Sequence, residues 1–199
     1  MARSARPAAK DRLLDAAEQL FYERGIAATG VDAVLQRAGV APATLYAHFA
    51  GKDHLVAAYL ERRHARWRAA WDAALARTGE DPAARLLSVF DALEHFRADA
   101  VGDRGCAFLA AAVEVTDAGH PAHAWLLADT DLLRERLLHL AEQAGAADPQ
   151  ALAAELLLLY DGELAARSRE AVRAGASRPD HGRTRRLAAA AVERHLTEV

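Results

Sequence analysis

The sequence predicts an all-α protein of about nine helices, and three features of the chain indicate this. The six prolines all stand where a helix can begin, since the first helical position needs no backbone N–H donor. Glycines close most of the intervals between them, as is typical of helix C-termini. No interval shows the sustained alternation of apolar and polar residues, rich in β-branched side chains, that predicts a strand.

These signals also place each helix. Asp81-Pro82 and Asp148-Pro149 pair a capping carboxylate with a proline at the first helical position. The predicted helices span residues 8–24, 31–38, 42–49, 52–78, 81–98, 104–117, 121–144, 148–175 and 180–197.

The first three predicted helices are short, and each carries one apolar stripe, so they can form a small core of their own. The fourth helix would run roughly 40 Å at about 1.5 Å per residue. We therefore expect an N-terminal helical domain at residues 1–51 and a larger C-terminal helical domain at residues 52–199.

Composition excludes several classes of protein. The chain has 199 residues, 52% of them hydrophobic, and a formal net charge of −3. No run approaches the roughly 18 apolar residues that span a bilayer, and residues 1–10 lack the apolar segment of a signal peptide, so we expect a soluble cytoplasmic protein. The single cysteine, Cys106, excludes an intrachain disulfide and a thiolate-rich zinc site within one chain.

The stretch GVAPATLYAHFAGKDHL, residues 39–55, predicts a helix-turn-helix. Gly39 can take the positive φ of the turn, and Leu45 and Phe49 lie one helical turn apart on the inner face. The outer face then carries small residues that allow close approach to base edges, with hydroxyl and imidazole groups that reach phosphates or bases. The predicted DNA-contacting residues on this face are Pro42, Ala43, Thr44, Tyr46 and His48.

Two further residues flank this surface. Lys52 opens the next helix, where its ammonium group adds to the positive end of the helix dipole and suits a phosphate contact. Thr29 stands just before the second helix, and we expect its hydroxyl to contact a phosphate as well.

With Thr29, Val31, Val34, Ala38-Gly39-Val40, Thr44-Leu45-Tyr46, His48-Phe49, Lys52-Asp53 and Leu55, the chain closely resembles the DNA-binding domain of the TetR family of bacterial transcriptional regulators. The resemblance covers roughly residues 8–60. It implies a homodimer, an N-terminal domain that reads operator DNA, and a C-terminal domain that binds a small effector. By position, Thr29, Thr44, Tyr46, His48 and Lys52 match the family's DNA contacts.

The chain departs from the family pattern at three positions. Ala41 replaces a serine or threonine that caps the recognition helix, which forgoes about 1 kcal/mol. Ala43 replaces a glycine or serine, and Leu35 replaces a small residue where the first two helices cross.

Aromatic residues of the larger domain are candidates for an effector pocket, although single aromatic residues in an all-α domain are more often core. An acidic residue beside them could meet a cationic or hydroxylated ligand, or could lie exposed at a helix edge. The predicted ligand-binding residues are Trp67, Trp71, Phe90, Phe108, Trp125, Tyr160 and Asp161.

The last two helices are candidates for dimerisation. The predicted helix 148–175 is apolar on more than one face and the helix 180–197 is rich in alanine, so both could be buried on two sides, as in a four-helix bundle across a two-fold axis. The predicted interface residues are Leu152, Leu156, Leu159, Leu187, Ala191 and Val192.

Other features leave alternatives open. The segment EVTDAGHPAH could bind a metal through Asp117, His120 and His123, but a capped loop explains the same residues better, and we predict no metal. Cys106 is either a redox-sensitive thiol or, as the apolar context favours, a buried one. Arg3, Arg6 and Lys10 form either a DNA-contacting arm or a solvated tail.

The function classes can be ranked. The chain has no glycine-rich phosphate loop, nucleophile elbow or HExxH pattern, so neither an enzyme nor a cofactor is predicted. We expect a ligand-responsive DNA-binding regulator, and specifically a repressor that a small molecule releases from an inverted-repeat operator. An activator of the same fold is the alternative, followed by a helical enzyme and a non-DNA interaction module.

Overall fold

The computed structural model describes residues 8–98, 105–172 and 181–197. Within these ranges the chain forms nine α-helices and no strand, which confirms the predicted all-α class. The helices are α1 (Ala9–Arg24), α2 (Val31–Ala38), α3 (Pro42–His48), α4 (Lys52–Ala76), α5 (Pro82–Ala98), α6 (Ala107–Glu114), α7 (His123–Gln143), α8 (Pro149–Glu170) and α9 (His181–Thr197).

The helix starts follow the predicted capping chemistry. Pro82 and Pro149 are the first residues of α5 and α8. The Asp81 and Asp148 carboxylates accept hydrogen bonds from the N–H groups of Ala83 (3.0 Å) and Ala151 (2.9 Å), which satisfies donors that the first helical turn leaves free. Pro7 and Pro179, also assigned to helix starts, lie outside the described residues.

By its contacts the chain divides into two compact units. The first, called here the head, comprises residues 1–63 and 107–127, and the second, called the body, comprises residues 64–106 and 128–199. The division falls within α4 and again within α7. It does not coincide with the predicted boundary between residues 51 and 52, and that functional division remains a prediction.

The head has its own apolar core, formed where α1, α2 and α3 pack against one another. Arg62 joins α4 to α1 through 2.7 Å ion pairs with Asp15 and Glu18. The rings of Phe21 and Tyr59 lie 5.7 Å apart between the same two helices. The largest fully buried side chains of this core are Tyr59, Leu13, Leu20, Leu45, Leu55, Leu60 and Val34.

The body is built from α5, α8 and α9 with parts of α4 and α7, and α9 packs against both α5 and α8. Two sets of polar side chains inside it are paired. The Trp71 indole N–H donates to the Ser88 hydroxyl at 3.0 Å. The buried Glu163 carboxylate accepts hydrogen bonds from Arg167 (2.7 Å) and from Thr184 of α9 (2.6 Å), so this charge on α8 also holds α9 in place.

Among the described residues, none of the helices combines the length and the apolar character needed to cross a membrane.

Candidate nucleic-acid interface

The turn between α2 and α3 has the geometry that the sequence predicts. Gly39 lies in the left-handed region (φ 62°, ψ 45°) and its N–H bonds back to the last turn of α2. The Val40 N–H also donates to the Leu35 carbonyl, at 3.3 Å. Because this conformation strains most residues with a Cβ atom, it favours glycine. The turn thereby fixes the direction in which α3 leaves α2.

The α3 helix begins without a side-chain cap. Ala41 is extended and makes no side-chain hydrogen bond, while Pro42 occupies the first helical position. The first turn closes through a 2.9 Å hydrogen bond from the Thr44 N–H to the Ala41 carbonyl. The fixed φ of proline suits this position, so it offsets part of the missing cap.

The inner and outer faces of α3 are those predicted. Leu45 is fully buried and Phe49 is 6% exposed, whereas Tyr46 is 62% exposed. Pro42, Ala43 and His48 are also exposed, and Thr44 is half-buried. A short helix thus presents two small residues, a phenol and an imidazole on one accessible surface. Their contact with DNA remains a prediction.

The structure contradicts the predicted phosphate contact through the Thr29 hydroxyl. Thr29 is 1% exposed, and its single hydroxyl hydrogen is donated to the Gly25 carbonyl at 2.7 Å, with the Leu20 carbonyl 3.3 Å away. The residue therefore ties the turn that follows α1 to the end of that helix. The sequence places it correctly before α2 but does not reveal that its side chain turns inward.

Lys52 is the first residue of α4, as predicted, and lies beside the turn between α1 and α2. Its Nζ atom donates to the Ala27 carbonyl at 3.5 Å. The next residue, Asp53, lies 3.5 Å from His120, on the segment between α6 and α7. The ammonium group of Lys52 has three donor hydrogens, so the contact with Ala27 leaves it able to bind a phosphate.

Glu114, which no sequence pattern identifies as a site residue, lies in the same region. The Glu114 carboxylate, at the end of α6, accepts hydrogen bonds from the N–H groups of Ile26 (3.0 Å) and Ala27 (2.5 Å). These partners are 88 and 87 residues away along the chain. No local pattern could have predicted such a contact.

The segment that follows Glu114 is a capped loop, in keeping with the preferred interpretation. The Asp117 carboxylate accepts a 2.8 Å hydrogen bond from the Gly119 N–H, and His120 Nδ1 accepts one from the Ala122 N–H at 3.0 Å. In the part of the chain that the structure describes, no three residues of the ligating types are grouped to hold a metal ion.

The basic arm of the head and the role of Cys106, which belongs to the body, both stay predictions. Lys10 is exposed in the first turn of α1, and Arg3 and Arg6 lie outside the described residues, so the predicted arm stays a prediction. Cys106 precedes α6 and is half-buried, which leaves both interpretations of the thiol open.

The predicted ligand-binding aromatics do not all belong to one unit. Trp67, Trp71, Phe90 and Tyr160 lie in the core of the body, and the Trp67 ring lies 5.7 Å from that of Tyr160. Phe108 and Trp125 belong to the head. The interior position of the four body residues fits the core interpretation, while their role toward a ligand remains a prediction.

The seventh predicted ligand-binding residue, Asp161, lines a groove of the body between α7 and α8. The groove has a volume of about 420 Å³, and Arg134 and Gln150 are its other polar side chains. Burial raises the pKa of the Asp161 carboxyl, and the positive charge of Arg134 lowers it in part. The apolar lining residues are Leu138, Ala153, Ala154, Leu157 and Leu158.

Most predicted dimer-interface residues are already buried within one chain. Leu152, Leu156, Ala191 and Val192 are at most 4% exposed, so they are core residues of the body and cannot supply much area to a partner. Leu159 is half-buried. Leu187 remains accessible at 55%, and so does Leu158 at 73%. The alternation of buried and exposed leucines shows that α8 is covered on one side by its own chain.

A three-helix domain in which a glycine turn joins α2 to an accessible α3 has the structure of the helix-turn-helix class of proteins. Comparison with known proteins agrees with this class. Residues 13–59 match the profile of the bacterial regulatory proteins of the tetR family. A solved TetR-family transcriptional regulator from Streptomyces coelicolor is 32% identical, with a TM-score of 0.79, over 96% of this chain and 95% of that one. The chain belongs to the TetR family of transcriptional regulators.

Two curated relatives are similar over shorter stretches. The transcriptional repressor KstR2 of Mycobacterium tuberculosis is 34% identical over 46% of this chain and 48% of its own length. The transcriptional activator FasR of Mycolicibacterium smegmatis is 43% identical over 27% of this chain and 24% of its own length. The matches thus span about a quarter to a half of these relatives. Membership of the family identifies a helix-turn-helix regulator and not an enzyme.

Proposed function

We propose that the chain is a homodimeric repressor that binds an inverted-repeat operator and is released from it by a small molecule. The observation that carries this proposal is the exposed face of α3 with Lys52 beside it. An α-helix with its side chains is about 10–12 Å across, which fits the major groove of B-DNA, roughly 12 Å wide, and the 7 residues of α3 form such a helix. Such a regulator acts on chromosomal DNA, so its location is the cytoplasm.

The side chains of α3 and Lys52 make different kinds of contact with DNA in this proposal. Pro42 and Ala43 at the start of α3 allow the backbone to come close to the bases, since neither has a long side chain. Tyr46 and His48 supply donors and acceptors, and the Tyr46 ring can pack against a thymine methyl group. Lys52 contacts a phosphate, which contributes affinity on every sequence but no specificity.

Dimerisation is assigned to the accessible leucines of the body. Leu158 on α8 and Leu187 on α9 are 73% and 55% exposed in a single chain. Exposed leucines on two adjacent helices suit a self-complementary two-fold contact, in which the same surface is used on both copies. The core leucines of the same helices hold the shape of that surface.

The effector site is assigned to the body by the resemblance to the family. Repression is favoured over activation because KstR2, by its name a repressor, matches over a longer stretch than the activator FasR. A ligand that binds one body conformation better than another shifts the population between operator-binding and released states.

The experiment is selection from a pool of duplexes with a randomised central region. The proposal predicts enrichment of an inverted repeat whose half-sites are separated by about one helical turn or a multiple of it. It also predicts two chains for each duplex, measured by light scattering. Enrichment of no sequence, or of a single half-site bound by one chain, would contradict the proposal.

A further inference from the structure

Glu114 lies in the head and binds the turn between α1 and α2, which Lys52, the proposed phosphate contact, also touches. Its two carboxylate oxygens accept the N–H groups of Ile26 and Ala27, one each. The carbonyl of Ala27 accepts a hydrogen bond from Lys52 Nζ at 3.5 Å. One residue of the turn is thus bound on its N–H side by α6 and on its carbonyl side by the first residue of α4.

The backbone at the start of this turn is shaped for the carboxylate. Gly25 has a φ of +90°, and a Cβ atom added there would lie 3.1 Å from Glu114 Oε1. A side chain at Gly25 would therefore both strain the backbone and crowd the carboxylate. The close approach of Glu114 to the turn is possible because residue 25 is glycine.

The negative charge of Glu114 allows two opposite predictions for the effect of its removal on DNA affinity. An exposed carboxylate close to a DNA-binding surface repels phosphates, so its removal alone should strengthen DNA binding. The Glu114 carboxylate accepts two hydrogen bonds from backbone N–H groups. Such hydrogen bonds are stronger when the acceptor is ionised. If these bonds hold the Ala27 carbonyl where Lys52 needs it, removal of Glu114 should weaken DNA binding instead.

We propose that Glu114 is a positioning residue for DNA binding: it fixes the Ala27 peptide, which in turn directs the Lys52 ammonium toward a phosphate. This inference rests on the proposed function, because it assigns Lys52 to a phosphate. Glu114 acts through the turn and touches no DNA.

The test is a set of variants measured on the duplex selected above, over a range of salt concentrations. Loss of one phosphate contact reduces the slope of log affinity against log salt by about 0.9, so loss of one from each chain of a dimer reduces it by about 1.8. The expected result is the same slope change for Glu114→Ala, for Lys52→Ala and for the double variant, with at least a tenfold loss of affinity at moderate salt. Equal effects that do not add show that the two residues act as one unit.

Controls separate positioning from charge and from folding. Glu61→Ala removes the same charge from an exposed position on α4 and should leave the slope unchanged or strengthen binding. Glu114→Gln keeps one acceptor oxygen and should fall between wild type and Glu114→Ala. A lower folded fraction that is the same at every salt concentration, checked by circular dichroism over the same range, reduces the affinity by one factor throughout. A variant that only destabilises the head would therefore lower the melting temperature without changing the slope.

Three results would overturn the inference. Tighter binding by Glu114→Ala would show that the carboxylate acts only by repulsion, and an unchanged slope would show a purely structural role. In both cases wild-type binding leaves the proposed function intact. A wild-type protein that binds no duplex at all would overturn the proposed function and this inference together.

Discussion

Leu45 and Tyr46 are adjacent on α3, but one faces the core and the other the solvent, and their alanine variants should separate folding from DNA binding. Leu45 is fully buried in the core of the head, whereas Tyr46 is 62% exposed. Leu45→Ala removes three buried carbon atoms and leaves a cavity, at a cost of about 2–5 kcal/mol. Tyr46→Ala changes a surface residue, which usually alters stability by no more than about 0.5 kcal/mol.

These energies convert into measurable shifts. For a chain of this size, about 1 kcal/mol changes the melting temperature by roughly 2–4 °C. Leu45→Ala should therefore melt roughly 4–20 °C below wild type, and Tyr46→Ala within about 2 °C of it. Circular dichroism gives the melting curve, and fluorescence anisotropy with the selected duplex gives the affinity. We expect Tyr46→Ala to lose specific binding while fully folded, and Leu45→Ala to bind in proportion to its folded fraction.

Exchanged behaviour of the two variants would refute the assignment of the two faces of α3. A Tyr46→Ala protein that melts far below wild type, yet binds normally per folded molecule, would mean that α3 is rotated about its axis and that its outer face is wrongly assigned.

Three further predictions concern separate parts of the account. Lys52→Ala should weaken binding to selected and random duplexes by the same factor, because a phosphate contact carries no sequence information; a loss confined to the selected duplex would contradict this. Thr29→Val removes a buried hydroxyl and should cost about 0.5–1.5 kcal/mol of stability, seen in chemical denaturation; a loss of affinity with unchanged stability would restore its predicted phosphate contact. Leu158→Glu should yield monomers in sedimentation velocity. Val113 on α6 is 77% exposed, and the control variant Val113→Glu should stay dimeric. A dimeric Leu158→Glu protein would place the interface elsewhere.

The parts of the fold that local chemistry determines could be predicted from the sequence. Gly39 and Pro42 specify the turn and the start of α3 through backbone geometry alone, and the structure agrees at both positions. Asp148 caps α8 for the same reason. Helix ends were less certain, and α8 ends at Glu170, where the predicted helix runs to residue 175.

The side-chain roles that depend on distant contacts could not be predicted. Thr29 has a residue type suited to phosphate contact, but its hydroxyl is used by carbonyl groups of α1. Glu114 meets its partners across 87 and 88 residues. Such distances leave no periodic signal in the sequence, because periodicity reports only which face of a helix is apolar.

The apolar helices of the body show the same limit. Leu152 and Leu158 are both leucines of α8, yet the first is fully buried and the second is 73% exposed in one chain. The sequence predicts that α8 is buried on more than one side. It does not predict which side is covered by the chain itself, so most of the residues assigned to the dimer interface are core residues.

Methylation interference on the selected duplex tests the central claim most directly, because dimethyl sulfate marks guanine N7 in the major groove and adenine N3 in the minor groove. If α3 reads the operator, N7 methylation of guanines in both half-sites should block binding, at positions separated by about one helical turn or a multiple of it. Binding that tolerates every N7 methyl group, or that is blocked only by methylation of adenine N3, would contradict the assignment of α3 as the reading helix.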